Sequence, residues 1–468
     1  MGRMAGRAAA IAALGALWGS AHAQFDIAPH RAAATRLIQA ATGDSAAYQR
    51  LARLADGFGH RHSGSASLER AIDWIVEEMK RDGLENVRKE PVMVTNWVRG
   101  AESAELVAPR RQALQMLGLG RSVGTPPNGI TAEVLVVRSF ADLRAKATRA
   151  RGKIVLYNVP FDTSVAPFAG YGRTVVYRAA GADSASVVGA VAVLVRSVTP
   201  VSLQSPHTGG MAPPDTTGRI RPIPAAAISV ENAEMLQRMQ DRGERIEVKL
   251  TMGARTLPPA RSHNVVAEIR GSELPDEIVV MGGHIDSWDV GQGAMDDGGG
   301  CVAAWEALRL IKELGARPRR TIRVVLWTNE EIGLAGATGY RDAHRAEVDK
   351  HVLAMESDNG VFRPRGIRFG GGQGGLAIVR EMARLLAAVG ADSADVGGPQ
   401  ADIGPLYQLG VPAITIDTDG SKYFWYHHTE SDTMDKLDPV DVARNTAILA
   451  VIANTVANMS GTLPRVGR

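Results

Sequence analysis

The sequence predicts an α/β fold in which helices cover both faces of a mixed, mostly parallel sheet, with a β-rich segment inserted into it. Strand and helix patterns alternate through the C-terminal half of the 468-residue chain, which is typical of strands joined by crossover helices. These strands are apolar throughout, which indicates a sheet that is buried on both faces. Between residues 108 and 255 the pattern changes to short β-rich runs separated by Gly-, Pro- and Ser-rich connections, so that segment is predicted to be a separate insert.

The first 23 residues predict a secretory signal peptide. Arg3 and Arg7 precede an Ala-rich apolar stretch that ends at Trp18, and residues 21–23 (Ala-His-Ala) fit a small-x-small cleavage site. The apolar stretch is too short for an ordinary transmembrane helix. An uncleaved membrane anchor is the alternative, and no later stretch is expected to span a membrane. The mature protein is therefore expected to be secreted or periplasmic, after cleavage near Ala23.

Charge and cysteine content limit the classes of protein to which the chain can belong. The chain has 53 basic and 50 acidic residues, and the leader carries two of the basic ones, which leaves no electrostatic footprint for nucleic acid. The single cysteine, Cys301, lies in an apolar helical run and is expected to be a buried, inert thiol. The roughly 445 mature residues exceed one ordinary core. We expect a discontinuous main domain at residues 24–107 and 256–468, around the insert at residues 108–255.

The periodicity of apolar residues gives the individual elements. In residues 65–83 apolar residues recur at helical spacing, which predicts an amphipathic helix that ends near Gly83. Five runs predict strands in the insert: EVLVV, KIVLYNV, AVAVLV, PAAAISV and RIEVKL. After Pro259 strands are predicted at NVVAEI, EIVVMGG, TIRVVLWTN, HVLAMES and PAITID, and helices at CVAAWEALRLIKEL, LAIVREMARLLAAVG and DPVDVARNTAILAVIANTVANM.

Residues with metal-binding side chains follow several of these strands. They come after strand ends, before a helix or beyond the last strand: His284, Asp286, Asp296, Asp297, Glu330, Glu331, Asp358 and His428. Each group alone has an ordinary explanation as a turn, a helix start or a capping pair. Ligands of α/β sheets collect at the carboxyl ends of the strands, however, and carboxylates converging there would repel one another unless a cation neutralised them. The sequence therefore predicts a metal site.

The ligand types indicate which metal binds and how many ions. Histidine and carboxylate ligands together suit zinc, with manganese or cobalt as alternatives. One zinc needs about three protein ligands and a water, whereas five are available: His284, Asp296, Glu331, Asp358 and His428. Five ligands fit two ions that share one bridging carboxylate. Such a pair binds a hydroxide that attacks a carbonyl, while a nearby carboxylate acts as general base.

The spacing of GGHIDSWDVGQGAMDDGGG, TNEEIGLAGATGY, MESDNG and HHTESDT resembles the co-catalytic di-zinc aminopeptidase family of metallopeptidases. The resemblance extends over essentially the whole mature chain, and implies the zinc-peptidase fold for a catalytic domain at residues 24–107 and 256–468. It also implies that GKIVLYNV, AGADSASVVGAVAVLV and IPAAAISVENAEML belong to a protease-associated domain, which in relatives packs over the catalytic mouth. A solubilising insertion is the alternative.

The resemblance implies a role for each metal ligand. Asp296 corresponds to the carboxylate that bridges both ions. His284 and Asp358 complete one site, and Glu331 and His428 complete the other.

Two further carboxylates have implied catalytic roles. Glu330 corresponds to the general base, which takes a proton from the bridging water and passes it to the leaving amine. Asp286 corresponds to a carboxylate that orients the imidazole of His284. The bond between Asp296 and Asp297 is often cis in this family.

One position departs from the family pattern. Several relatives have tyrosine directly before the last histidine ligand, where it contributes to oxyanion stabilisation; here that residue is His427, with Tyr426 one position earlier. The oxyanion donor could be His427, Tyr426 or the metals alone, and His427 packing beside the site is the alternative. Asp402 matches an Asp-His segment of the family with isoleucine in the histidine position, for which we expect at most a substrate-side role.

Together these observations predict a secreted zinc exopeptidase that hydrolyses short peptides, with unblocked dipeptides as the expected substrates. An aminopeptidase for longer peptides, a non-catalytic binding module and an N-terminal cyclase are the alternatives. Retention of all five ligands and the base argues against the binding module, and the insert and the complete second site argue against the cyclase. A homodimer is plausible by resemblance, and no nucleic-acid partner or, after cleavage, membrane partner is expected.

Overall fold

A computed structural model of the protein describes residues 25–315 and 317–467. The predicted signal peptide, residues 1–23, lies outside this part of the chain. The described residues form two 8-stranded sheets with helices packed against them.

Helices and strands alternate through both sheets. The α-helices are α1 (Arg31–Thr42), α2 (Ala46–Phe58), α3 (Ala66–Arg81), α4 (Phe140–Ala145), α5 (Ala147–Ala150), α6 (Pro167–Thr174), α7 (Val176–Val187), α8 (Val230–Asp241), α9 (Gly299–Glu313), α10 (Ala335–Ala343), α11 (Gly375–Ala383), α12 (Gly404–Tyr407), α13 (Tyr423–Tyr426) and α14 (Pro439–Asn458). The strands are β1 (Glu85–Val98), β2 (Glu102–Ala108), β3 (Gln112–Leu114), β4 (Met116–Gly118), β5 (Ile130–Val137), β6 (Ile154–Tyr157), β7 (Ala192–Arg196), β8 (Ala225–Ile228), β9 (Glu247–Met252), β10 (Arg255–Ile269), β11 (Leu274–His284), β12 (Arg320–Trp327), β13 (His351–Glu356), β14 (Pro364–Gly370), β15 (Ala394–Val396) and β16 (Ala413–Thr418). Short 3-10 turns lie at Ala28–His30, Arg345–Lys350, Arg384–Val389 and Met434–Lys436, and a π-type turn lies at Ala294–Gly298.

The first sheet has the strand order β1-β10-β12-β11-β13-β16-β14-β15. Its central strands β12, β11, β13 and β16 are parallel. The pairs β1–β10, β10–β12 and β14–β16 are antiparallel. The mixed α/β fold predicted from the sequence is confirmed.

Both faces of this sheet are buried, as the apolar strands predict. Val279 and Met281 of β11 belong to a core shared with α9 and α14, whereas Val280 between them packs in a second core with α10. Helix α14 is long and apolar enough to cross a membrane, contrary to the expectation that no later stretch would be, but 83% of its apolar window is buried in the protein. We therefore interpret α14 as a core helix.

Helix α3 illustrates why the predicted elements form. The hydroxyl of Ser65 accepts a hydrogen bond from the main-chain N–H of Leu68 at 3.2 Å, which caps the first turn. The apolar stripe of α3 is buried, and Gly83 follows the helix with φ of 69°, a conformation that favours glycine. The predicted helix is confirmed.

The second sheet has the order β3-β2-β9-β5-β6-β7-β8-β4 and is built from strands between Glu102 and Met252. It contains the five strands predicted in this segment, and it begins ahead of the predicted start at residue 108. Helices α4 to α8 lie in the same segment, which is therefore α/β rather than only β-rich. Helix α7 (VYRAAGADSASV) consists largely of small residues, so it has no wide apolar stripe that the sequence could reveal.

The chain leaves the first sheet and returns to it at adjacent positions. Val98 at the end of β1 lies opposite Arg255 at the start of β10. Strand β10 runs through Pro258 and Pro259, which the sequence suggested as a boundary. The prolines fit because β10 pairs with β12 only from Val265 onward, so this part lies at an edge where a missing N–H is tolerated.

Candidate metal centre

The glycine-rich segment around His284 lets main chain and carboxylates approach closely. A Cβ atom on Gly283 would lie 2.3 Å from the Asp297 carboxylate, and one on Gly300 would lie 1.7 Å from the carbonyl oxygen of Ser357. Asp297 uses this space to accept hydrogen bonds from the main-chain N–H groups of His284 and Gly300, at 3.0 and 3.1 Å. It thereby ties the end of β11 to the start of α9.

Asp296 lies at the centre of the cluster. Its Oδ1 is 3.2 Å from Nε2 of His284, and its Oδ2 is 3.3 Å from Nε2 of His428. Asp358 Oδ1 lies 3.6 Å from Nε2 of His284, and Glu331 Oε2 lies 3.2 Å from Nε2 of His428. The structure thus brings the five predicted ligands together as two groups that share one carboxylate. The Asp296–Asp297 peptide bond is cis, as the resemblance implied.

The donor atoms of this cluster fit cations. Oδ2 of Asp296 and Oε1 of Glu331 are buried and have no hydrogen-bond partner among the described residues. Burial, together with the charge of Asp296, raises the pKa of Glu331 well above its usual range. Burial opposes protonation of His284, but the hydrogen bonds that its imidazole donates to Asp296 and Asp358 outweigh this effect and raise the His284 pKa well above its ordinary value. These shifts have the direction expected where carboxylates crowd together in a dry site.

The carboxylate of Asp286 does not contact the imidazole of His284 as predicted. Nδ1 of His284 is 3.0 Å from the main-chain carbonyl oxygen of Asp286, but 3.9 Å from its carboxylate. The carboxylate instead accepts a hydrogen bond from the main-chain N–H of Glu330 at 3.0 Å. A backbone carbonyl can orient a ligating imidazole as a carboxylate can, which leaves the Asp286 side chain free to hold the turn that follows β12.

Of the two predicted oxyanion donors, the structure brings only His427 to the site. His427 Nε2 lies 3.6 Å from Oδ2 of Asp296, and the ring stacks on His428 with 3.5 Å between centroids. Tyr426 does not line the cavity that opens onto the cluster. Its ring instead lies 5.7 Å from Nζ of Lys436. Tyr423 lines the cavity in its place, because one helical turn separates it from His427, whose N–H donates to the Tyr423 carbonyl.

Asp402 lies just behind the cavity. Its neighbours Gln400 and Ala401 line the wall, whereas Asp402 is buried with neither carboxylate oxygen hydrogen-bonded among the described residues. Its main-chain N–H donates to Glu356 at 3.2 Å. Burial and the charge of Glu356 raise the pKa of Asp402 well above its usual range.

A cavity of about 510 Å³ opens onto the cluster, and helices and loops that accompany both sheets contribute to its wall. Glu330, Asp358 and His427 come from the first sheet and its loops. The segment that carries the second sheet contributes Arg121, Phe168, Tyr171, Arg178, Gly210, Met211 and Pro213.

The same segment also contacts a predicted metal ligand. Nδ1 of His428 lies 3.3 Å from the carbonyl oxygen of Thr208, and the Thr208 N–H donates to the His428 carbonyl at 3.0 Å. These two contacts fix the imidazole of His428 so that Nε2 faces Asp296. Thr208 lies in the segment SPHTGG, residues 205–210.

Arg178 is a functional candidate that the sequence did not indicate. It is buried, lines the cavity, and donates from Nη1 to the Thr208 carbonyl at 3.3 Å. No carboxylate pairs with it among the described residues, and its Nε has no hydrogen-bond partner there. A single arginine in a helix of small residues carries no local signal of such a position.

A family profile and several known proteins match this chain. A profile of peptidase family M28 matches residues 264–453. Carboxypeptidase Q of Mus musculus is 48% identical over 418 residues, which cover 89% of this chain and 87% of the relative. A solved peptidase M28 precursor from Shewanella amazonensis SB2B has a TM-score of 0.90 at 34% identity, over 94% of this chain and 99% of that one. A zinc aminopeptidase from Bacillus subtilis shares the fold, with a TM-score of 0.65 at 20% identity over 90% of this chain and 97% of that one. Since almost half of the aligned residues are identical to those of carboxypeptidase Q along nearly the whole chain, the protein belongs to peptidase family M28 and is a metallopeptidase.

Proposed function

We propose that the protein is a secreted, zinc-dependent exopeptidase that hydrolyses short peptides with free ends, and dipeptides in particular. The observation that carries the proposal is the position of Asp296, whose two carboxylate oxygens each face a different histidine. The zinc aminopeptidase from Bacillus subtilis, which shares the fold, supports zinc as the metal. The apolar leader supports export.

Two zinc ions fit the residues around Asp296. His284 and Asp358 would hold one ion, Glu331 and His428 would hold the other, and Asp296 would contact both. Bound there, the ions would supply Lewis acidity, which acidifies a water molecule and polarises the carbonyl of the scissile bond.

Glu330 is the proposed general base. Its carboxylate takes one proton from the attacking water and returns it to the nitrogen of the leaving amine as the C–N bond breaks. Burial raises the pKa of Glu330 to about 8, assisted by the charges of Asp358 and Asp296 and opposed by His284. This value applies to the metal-free protein; two cations bound beside Glu330 would lower its pKa and keep the carboxylate in the form that accepts a proton.

His427 is the proposed donor to the oxyanion. Burial and the neighbouring His428 hold the pKa of His427 well below its usual range, so its imidazole is neutral and carries one N–H. Its Nε2 lies 3.6 Å from Oδ2 of Asp296, beside the place proposed for the substrate carbonyl, whose oxygen gains negative charge in the transition state. Tyr423, with its ring centroid 5.1 Å from that of His427, supports the imidazole from the same wall.

Arg178 is the proposed contact for the free carboxylate of the substrate. A buried guanidinium without a counter-ion is costly, and a substrate carboxylate would supply a charge-assisted, two-pronged hydrogen bond. The arginine comes from the segment that carries the second sheet, which we propose to be a protease-associated domain. Because this domain forms part of the wall of a cavity of about 510 Å³, it would favour short peptides over folded proteins.

The proposal is tested with a matched series of peptides and zinc-loaded protein. One dipeptide is offered free, with a blocked amino end and with an amidated carboxyl end, beside a tetrapeptide that begins with the same residues. We expect hydrolysis of the free dipeptide and little of the other three. Efficient hydrolysis of the amide and the tetrapeptide would favour an aminopeptidase, and no hydrolysis of any would contradict the proposal.

A further inference from the structure

A closed ring of hydrogen bonds holds the turn that carries Glu330. The Ser63 hydroxyl donates to Oδ2 of Asp286 at 2.9 Å, and the side-chain amide of Asn329 donates to Ser63 Oγ at 3.0 Å. Oδ1 of Asp286 accepts from the main-chain N–H of Glu330 at 3.0 Å. Because Asn329 and Glu330 are consecutive residues, the ring closes through the chain itself.

The ring admits one arrangement of its protons. The amide N–H of Asn329 can only donate, so Ser63 Oγ accepts from it and directs its own single proton to Asp286. Ser63, Asp286 and Asn329 are all buried, with side chains at most 1% exposed. Removal of the Ser63 hydroxyl would leave the Asp286 carboxylate oxygen and the Asn329 amide N–H, both buried, without the partner that each has now.

The turn is also held from its other side. Asn329 has φ of 68°, a left-handed conformation that asparagine adopts more readily than most residues. Its side-chain oxygen accepts from the main-chain N–H of Ala335 at 3.2 Å. Since both ends of the Asn329 amide are engaged, the Ser63 contact determines where the Asn329–Glu330 peptide sits relative to β11.

We propose that Ser63 is a positioning residue for Glu330, acting through Asp286 and Asn329. The proposal rests on the proposed function, in which Glu330 is the general base. Ser63 is not among the residues that line the metal cavity, so it affects the reaction only through the ring. Displacement of the base slows the chemical step and so lowers kcat, but it changes substrate binding little.

The expected effect of Ser63→Ala is a fall in kcat of about 10-fold to 100-fold, with KM and zinc content near wild type. Ser67→Ala is the matched control, because Ser67 lies in the same segment and donates to a main-chain carbonyl, that of Phe58, but does not touch the ring. It should keep the wild-type kcat. If Ser63→Ala does not fold, Ser63→Cys, of similar size with a weak donor, replaces it.

A double-mutant cycle with Glu330→Gln separates positioning from a structural role. If Ser63 acts through Glu330, the fall in kcat caused by Ser63→Ala disappears when Glu330 is already glutamine. An equal fall in both backgrounds, or none in either, overturns the positioning role while leaving the proposed function intact. A wild-type rate for Glu330→Gln alone overturns the base assignment in the proposed function, and the inference that depends on it.

Discussion

The main-chain N–H of Glu330 donates a hydrogen bond to the carboxylate of Asp286 at 3.0 Å. This bond ties the turn after β12 to the end of β11, the two neighbouring strands that deliver the proposed base and the first histidine of the cluster. Asp286, together with the ring that includes Ser63 and Asn329, therefore holds Glu330 in place relative to His284.

Glu330→Gln should lower kcat by at least 100-fold, because a positioned base contributes about 10²- to 10⁴-fold to proton transfer. Fold and zinc content should not change, since Glu330 is not one of the five proposed ligands, which make the contacts around Asp296. Steady-state kinetics and elemental analysis of the same preparation measure both. Retention of the wild-type rate would show that another group is the base.

Asp296→Ala should release both metal ions together, because the two histidine groups share only this carboxylate. Asp358→Ala is the matched variant and should weaken the binding of one ion, since among the described residues Asp358 lies close to His284 and not to His428. Zinc per chain after dialysis distinguishes the two outcomes. One ion retained at full occupancy in Asp296→Ala would show that Asp296 is not the bridge.

Arg178→Gln should raise KM for a free dipeptide by 10-fold or more, because a buried charge-assisted contact to the carboxylate is lost. Hydrolysis of the matched C-terminal amide should change little. Arg173→Gln is the control, because Arg173 lies in the same segment but forms an exposed ion pair with Asp162. Equal losses on the free and amidated dipeptides would exclude Arg178 as the carboxylate contact.

Metal-free protein should lose thermal stability as the pH rises. Burial raises the pKa of Glu330 and Glu356 to about 8 and that of Asp432 to about 7. A folded-state pKa above the unfolded value of roughly 4 means that the stabilising contribution is complete below about pH 4 and is lost as the pH rises towards 8. Buried histidines such as His207 and His351, whose pKa is lowered to about 3 and about 4, act in the opposite sense below about pH 6.5. Melting of chelator-treated protein at about pH 6.5 and pH 8 therefore tests the sign. A higher melting temperature at pH 8 would contradict it.

The part of the site predicted from the sequence is the part built on strand ends. His284, Glu331 and Asp358 follow β11, β12 and β13, which are parallel neighbours, so the order of elements alone brings their side chains to one edge. The turn that delivers Asp296 is similarly local, because it opens the helix that follows β11. Because parallel neighbouring strands end at the same edge of a sheet, residues that follow them in the sequence lie close together in the structure.

The remaining features depend on contacts that no local pattern contains. Arg178 and Thr208 reach the centre only because the chain makes a long excursion between Val98 and Arg255 and folds back over the cavity. Tyr426 was one of three alternatives for the oxyanion donor, but Tyr423 lines the cavity, because the short helix α13 sets which face of the chain meets it. The carboxylate of Asp286 was expected on His284, but the carbonyl of the same residue takes that place.

The most direct test of the account is the zinc content of protein purified without chelator, measured together with hydrolysis of free dipeptides. The shared position of Asp296 predicts about two zinc ions per chain, and loss of dipeptide hydrolysis when they are removed. One ion or none after zinc is restored, with no turnover of any dipeptide, would contradict the two-metal peptidase proposed for this site.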